Sequence, residues 1–372
     1  MLRPTRMEVN LSALKRNVRN IRKFINPNSQ LMAVVKADGY GMGIERVAKA
    51  CLEAGCSRFA VATPDEAVTL REAGFSLPVL VMGPSPNEAA REFVELDITP
   101  AVTDLGFAEA LSKASVEAGK VGRFHLKIDT GMGRIGFLPE QVPETVEKLL
   151  HLPGLEMEGV FTHFATADER NLDYTTSQFA RFGEVLALLR TRGIRFRLRH
   201  CCNSAATVNC PDMHLDAVRP GLIIYGMWPS NWCERPFELE PVFRVVTKIA
   251  VLRELPQGSG IGYGLKYMTR GTERIAVLPI GYHDGYTRPL SMKADVLVRG
   301  RRAPLAGSIC MDQTMVNVTH IPDAKVGDEV VLVGKQESEE ISPEEIADIL
   351  GTINFEVPNL FTKRVERVYQ EM

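Results

Sequence analysis

Apolar and polar positions in the first two thirds of the chain repeat with two periods in turn. Short apolar runs at 31–35, 59–62, 79–82, 98–102, 124–128, 157–161, 196–201 and 215–218 read as strands. Amphipathic segments at 44–54, 64–73, 86–96, 104–118, 139–152 and 174–191 lie between them and read as helices, with a shorter, weaker one at 204–210. Ahead of this series stand a short strand at 6–10 and a helix that Asn10 can cap, with Leu11, Leu14, Val18, Ile21 and Ile25 at helical spacing. Thr63 and Thr103 occupy N-cap positions, the first followed by Pro64 and by Glu66 at the capping-box position. Alternating strands and helices imply a parallel sheet, and about eight such units imply a closed (β/α)8 barrel. An open dinucleotide-binding sheet is disfavoured, because no Gly-x-Gly-x-x-Gly turn follows the first strand of the series.

Near Glu238 the helical pattern stops. Strand-like runs at 242–255, 275–280, 294–298, 315–318 and 329–333 follow, with a single helix at 343–350. The expected organisation is a barrel over 1–238 and a mostly β domain over 239–372, joined without a long linker. The length of 372 residues suits that division.

Composition narrows the chemistry. A net charge of -2 and no basic block argue against nucleic acid or an acidic membrane surface. No apolar run approaches the length of a membrane span, and no apolar core follows the polar first residues, so a cytosolic protein is expected. Seven cysteines, an odd number, fit free thiols better than a disulfide framework. His200, Cys201, Cys202, Cys210 and His214 fall close together but lack the spacing of closed zinc sites, so no metal is assigned.

Candidate chemistry collects at the ends of the predicted barrel strands, where such barrels carry their active sites. Lys36, in AVVKADGYGMG, emerges from an apolar strand into a glycine-rich turn with Tyr40 close behind. Keeping a lysine amine neutral near pH 7 costs roughly 4 to 5 kcal/mol against its reference pKa, and a covalent imine is one way to hold it so. Arg134 follows the fifth strand, His163 ends the sixth, Asn203 and Ser204 end the seventh, and Arg219 ends the eighth. Each alone has a structural alternative: an arginine can face solvent, a histidine can be a satisfied core residue, and Lys36 can snorkel. Exits of the last two strands commonly hold phosphate, with Ser204 as donor and Gly221 allowing close backbone approach. A lysine, a phosphate cradle and an arginine able to face a ring nitrogen together suggest pyridoxal 5′-phosphate.

From about residue 8 to residue 369 the sequence resembles the alanine racemases, barrel-type enzymes dependent on pyridoxal 5′-phosphate. The resemblance rests on AVVKADGYGMG, KIDTGMGRIGF, THFATAD, NSAAT, VRPGLIIYG, GIGYG, PIGYHDGY and ICMDQ. It implies that Lys36 carries the cofactor as an imine and that Tyr40, Ser204, Gly221 and Leu222, together with His163 and Asn203, help to bind it. Arg219 should face the pyridine nitrogen, and Arg134 should contact the substrate carboxylate. Tyr263 resembles the second catalytic base, while Met311 and Asp312 match a segment that reaches the neighbouring subunit's site in a homodimer. Lys127 matches a lysine that can be carbamylated and so orient Arg134. The implied reaction is racemisation of alanine by two bases, one on each face of Cα, supplying D-alanine for peptidoglycan. A tyrosine base needs neighbouring cations to stabilise its anion, so His163 and Arg219 are expected in its network.

Two positions depart from the family pattern. Phe355 stands where a tyrosine is usual, which removes roughly 0.5 to 1.5 kcal/mol of hydrogen bonding and leaves open a racemase preferring serine or another small amino acid. His283 replaces a smaller residue. A non-catalytic barrel binding the same cofactor and a decarboxylase of similar architecture remain as further alternatives.

Overall fold

The structure, a computed structural model, describes residues 3–371. Strand β1 (Arg6–Asn10) runs into the helix Leu11–Phe24, where Asn10 Oδ1 accepts the Ala13 N–H at 2.9 Å and Leu14, Val18 and Ile21 are fully buried. Eight parallel strands then close into a barrel. They are β2 (Gln30–Val34), β3 (Arg58–Val61), β4 (Val79–Val81), β5 (Thr99–Val102), β6 (Gly122–Lys127), β7 (Leu155–Phe161), β8 (Leu198–His200) and β9 (Ala217–Val218). β9 returns to β2 through Gln30 opposite Ala217 and Leu31 opposite Val218. The expected barrel is therefore present.

Helix boundaries differ in detail. The helix Leu105–Ala118 is capped by Asp104, whose Oδ1 accepts the Phe107 N–H at 2.9 Å, and not by Thr103. Asp104 is the extended residue with a carboxylate in reach of the first turn, and the neighbouring threonine is one position too early. The segment expected as one helix at 86–96 begins as a 3-10 turn, Asn87–Ala89, and becomes α-helical only over Ala90–Glu95.

One irregularity shapes the barrel interior. β6 and β7 pair with Phe124 opposite Met157 and His125 opposite Gly159, so Glu158 is an extra, bulged residue. Glu158 bonds to His125 and Arg58, and all three are buried. Gly159 makes room for the His125 ring: a Cβ there would stand 2.8 Å from three of its atoms.

Among the described residues, 3–13, Tyr40–Met42 and 241–371 form a second compact unit. Its main sheet has the order β16-β15-β18-β10-β1-β20, built from β10 (Phe243–Lys248), β15 (Asp295–Val298), β16 (Arg301–Pro304), β18 (Glu329–Gln336) and β20 (Glu366–Gln370), with β19 (Glu339–Ile341) on β18. A second sheet contains β11 (Val251–Leu255), β14 (Glu273–Leu278) and β17 (Thr314–Asn317), and β12 (Gly260–Ile261) pairs with β13 (Tyr267–Met268). The run expected as one strand at 242–255 is thus two strands in different sheets. The chain crosses at Ile249 and Ala250, whose N–H groups donate to Asp328 O and Val277 O.

Gly159→Ala is expected to cost about 1 to 3 kcal/mol of stability, because the added methyl has no free volume beside His125. Urea denaturation of the two proteins measures it.

Candidate active site

β2 ends at Val34, and Val35 still reaches the next strand through a 2.9 Å bond to Ala60 O. Lys36 then opens a turn of the opposite hand from an ordinary helix. Ala37, Asp38, Gly39 and Tyr40 have φ of 54°, 52°, 61° and 53°. At about 1 to 2 kcal/mol per residue, the three non-glycine members carry roughly 3 to 6 kcal/mol of strain. Bonds on every side hold it. Gly39 N–H donates to Val35 O at 2.9 Å, Gly43 N–H to Asp38 O at 2.8 Å and Ile44 N–H to Asp38 Oδ1 at 2.9 Å. Ala37 N–H donates to Glu66 Oε1 at 2.5 Å. Burial pushes the Lys36 amine below its ordinary value, the Arg134 charge lowers it further, and Glu66 opposes both. Burial pushes the Tyr40 phenol up.

The exit of β6 is organised by Asp129. Its Oδ1 accepts the N–H groups of Gly131, Met132 and Gly133 at 2.9, 2.8 and 3.2 Å, and its Oδ2 that of Arg134 at 3.1 Å. The loop is thereby curled into a nest that presents the exposed Arg134. Lys127, at the tip of β6, is buried; its Nζ donates to Ile128 O at 2.8 Å and lies 5.5 Å from the centre of the Phe161 ring. Burial brings its amine down to about 7, Asp129 opposes, and Arg219 and Arg134 lower it further. Gly136 is required beside it, since φ is 105° and a Cβ would meet Lys127 Cγ at 2.7 Å.

Arg219 is buried at the end of β9, and a chain of side chains runs from it through the barrel. Nη1 donates to His200 Nδ1 at 2.6 Å; Nη2 donates to Thr162 O at 2.9 Å, to Cys201 O at 3.1 Å and to His163 Nδ1 at 3.3 Å. A guanidinium has only donors, so His200 Nδ1 is an acceptor and the imidazole carries its proton on Nε2. That proton faces His125 Nδ1 at 2.8 Å, which puts the His125 proton on Nε2, 3.3 Å from Glu158 Oε2. Glu158 is closed by Arg58 at 2.8 Å. Burial holds His200 and His125 below the ordinary histidine range, Arg219 adding to it at His200, and both are neutral. Burial pushes Glu158 up, but bonds from His125 and Arg58 outweigh it and bring the carboxyl down to about 2. Arg219 is lowered by burial to about 10 and stays cationic. Phe161 lies stacked on His200, its ring centre 5.4 Å from the Arg219 guanidinium.

At the β8 exit Asn203 caps the short helix Ser204–Asn209, accepting the Ala206 N–H at 2.9 Å. Ser204 Oγ accepts the Gly221 N–H at 2.9 Å, so its own proton is available to an acceptor in the mouth. Leu222 begins the following 3-10 turn and is buried. Burial, then the charges of Arg219, Arg134, Lys127 and Lys36, hold His163 well below its ordinary value. Lys36, Lys127, Arg134, His163 and Arg219 are thus brought within electrostatic reach of one another.

The remaining predicted residues lie in the second unit. Tyr263, 72% exposed, sits in a turn between Gly262 and Gly264, both at positive φ. Met311 is exposed, and its segment is pinned to 281–284: Tyr282 N–H donates to Cys310 O and His283 N–H to Met311 O. Gly281 permits this, because a Cβ would come within 2.3 Å of Cys310 O. Asp312 pairs with Arg364 at 2.8 Å. His283 is exposed, and half-buried Phe355 accepts from Asn359 through its carbonyl.

Sequence reasoning missed Asp129, His125, Glu158 and Arg58 as supports, and the handedness of the turn after Lys36. Glycines at alternate positions 39, 41 and 43 were the available signal for that turn. In the histidine and cysteine cluster, Cys201 and Cys202 both donate to Met213 O at 3.2 Å, and His214 bonds Thr207 O and Asn26 N–H.

Two family models match: "Alanine racemase, N-terminal domain" over residues 9–229 and "Alanine racemase, C-terminal domain" over 242–369. The alanine racemase of Desulfovibrio desulfuricans is 44% identical over 369 residues, 99% of either chain, and that of Methanococcus maripaludis 44% over 368 residues, 98% of either. Among solved structures, the alanine racemase of Clostridium difficile 630 superposes with a TM-score of 0.95 at 41% identity, covering 100% of this chain and 97% of that one. The alanine racemase of Bacillus anthracis with bound L-Ala-P gives 0.94 at 38%, covering 100% and 96%.

Glu158→Gln is expected to lower stability by about 3 kcal/mol, since it leaves the buried Arg58 charge unbalanced, and Glu158→Leu with Arg58→Met is expected to recover most of the loss. The folded carboxyl, at about 2, lies below its unfolded value of ~4.3. The Glu158 contribution is therefore complete above about pH 4.3 and fades as pH falls toward 2, a loss the Gln variant lacks. Denaturant melts across pH measure both effects.

Proposed function

Since this chain belongs to the alanine racemase family and racemises alanine, we propose that it does so with pyridoxal 5′-phosphate held covalently by Lys36. The observation that carries the proposal is a half-buried lysine with a depressed amine, fixed on a strained turn, in the electrostatic field of the Arg134 guanidinium. The donor set fits this cofactor. Lys36 offers an amine to its aldehyde, Ser204 a hydroxyl proton to its phosphate beside Gly221 and Leu222, and Arg219 a fixed cation to its ring nitrogen. Tyr40, Asn203 and His163 complete the binding set. When bound, the cofactor supplies an electron-withdrawing ring that makes the substrate Cα acidic.

The chain's own residues do the rest. Lys36 exchanges a proton with Cα from one face and Tyr263 from the other, so that removal on one side and return on the opposite side inverts the centre. Arg134, presented by the Asp129 nest, binds the substrate carboxylate, and Met311 helps to bound the substrate, with Asp312 and Phe355 as supports. Arg219, unable to give up its proton readily, keeps the ring nitrogen unprotonated, which disfavours side reactions of a stronger electron sink. Lys127, with its amine near 7, is suited to add carbon dioxide: an N–C bond forms, a proton is released, and the resulting anion orients Arg134. A racemase preferring serine and a non-catalytic barrel are both disfavoured by full-length relatives named as alanine racemases.

The β domain, taken as 239–372, supplies Tyr263 and Met311, and we assign them to the neighbouring site of a head-to-tail homodimer. In support, Tyr263, Leu265, Met268 and Met311 are exposed, and a groove of about 430 Å3 lies among Leu255, Ile261, Tyr263 and Met315. The barrel, taken as 1–238, carries the cofactor. The D-alanine formed would serve peptidoglycan in the cytoplasm. All seven cysteines are free thiols, and among the described residues no helix is long and apolar enough to cross a membrane.

Lys36→Ala is expected to abolish the visible absorbance of lysine-bound cofactor, while Tyr263→Phe keeps that absorbance and loses at least 100-fold in kcat, as removal of a general base does. Normal racemisation by Tyr263→Phe would remove the two-base assignment. Activity per chain is expected to fall on dilution in step with dissociation measured by analytical ultracentrifugation, and an active monomer would contradict the shared site.

A further inference from the structure

The carboxylate of Glu66 spans the exits of two adjacent barrel strands. Oε2 accepts the Ala62 N–H at 2.8 Å, just past β3, and the Thr63 N–H at 3.3 Å, which caps the helix Pro64–Glu72. Oε1 accepts the Ala37 N–H at 2.5 Å, immediately after Lys36. A residue needed only to cap its own helix would have no reason to reach the neighbouring strand. The capping-box glutamate normally returns to its own N-cap amide, and here the second oxygen is turned to another segment.

Ala37 is the first residue of the left-handed turn, and its amide cannot bond within that turn: the first closing bond is made by Gly39. Without Glu66 the Ala37 peptide, next to Lys36, loses its anchor, and the turn is held only by the Gly39 bond to Val35 O and by the bonds of Gly43 and Ile44 to Asp38. The direction in which the Lys36 side chain leaves the strand depends on that first peptide plane. The carboxylate also places a negative charge near an amine that otherwise sees burial and Arg134.

We infer that Glu66 is a positioning residue for the catalytic lysine, pinning the turn that aims Lys36 into the barrel mouth. The inference rests on the reading of Lys36 as the cofactor lysine. Glu66 acts through the Ala37 peptide, so its loss moves the amine without removing any group that binds substrate.

The test uses the full-length holoenzyme and three variants. Glu66→Ala removes all three bonds; Glu66→Gln keeps the size and one acceptor oxygen but places an NH2 group where a second acceptor stood; Thr63→Ala weakens the same helix N-terminus without touching Ala37. In both Glu66 variants the Ala37 amide is expected to exchange with deuterium at least 10-fold faster. kcat is expected to fall at least 10-fold with KM within about 2-fold of the parent, and Thr63→Ala is expected to change neither quantity beyond about 2-fold. Should Glu66→Ala not fold, Glu66→Gln carries the test. Parental kcat in a folded Glu66 variant, or an equal loss in Thr63→Ala, overturns the inference. Lys36→Ala that still shows lysine-bound cofactor would instead overturn the reading beneath it. The Ala37 exchange rate, which does not depend on the cofactor, separates the two failures.

Discussion

A guanidinium buried at the end of the last strand of a closed barrel must keep its charge without water, and much of this barrel's interior answers to that constraint. Arg219 meets it with donor bonds to Thr162 O, Cys201 O and two imidazoles, and with the face of Phe161. A carboxylate beside it would have balanced the charge more directly. The barrel instead places the negative group two imidazoles away, at Glu158, where Arg58 shares it. The intervening histidines are neutral and carry their protons in one direction, so Arg219 remains a donor with no anion at its tip. Glu158 reaches its place because it is the bulged residue of β7, and Gly159 makes room for the ring it bonds.

The same charge acts on the amines in this part of the barrel. Lys127 and Lys36 are both lowered first by burial and then by neighbouring guanidinium groups, Arg219 and Arg134 at Lys127 and Arg134 at Lys36. The barrel lowers both amines through desolvation and like charge more than through any dedicated base. Strain in the turn after Lys36 belongs to this arrangement. Three non-glycine residues in the left-handed region persist because Asp38, Glu66 and the Val35 carbonyl each hold one part of the turn.

The barrel strands, the change to β structure near Glu238 and the residues at the strand exits were legible along the chain because each rests on local pattern: period, strand-end position, and motifs such as KADGYG and DTGMGR. Asp129 was hidden inside the motif that drew attention to Arg134. Its carboxylate accepts from backbone N–H groups, and a bond whose donor is backbone leaves no pattern of residue types. Thr103 and Asp104 show the same limit, since either can cap a helix and only the path of the chain chooses. The run at 242–255 carried uniform strand character, and where it changes sheets depends on partners at Asp328 and Val277, remote in sequence.

Sequence alone determined that this is a barrel with a lysine, arginines and a hydroxyl at its strand exits, because side-chain type and spacing are written into the chain. Tertiary structure decided the protonation pattern from Glu158 to Arg219, the double role of the Glu66 carboxylate and the hand of the turn after Lys36. Each depends on groups brought together from separate strands, where burial and geometry, absent from a linear sequence, set which proton sits where and which backbone conformation can be held.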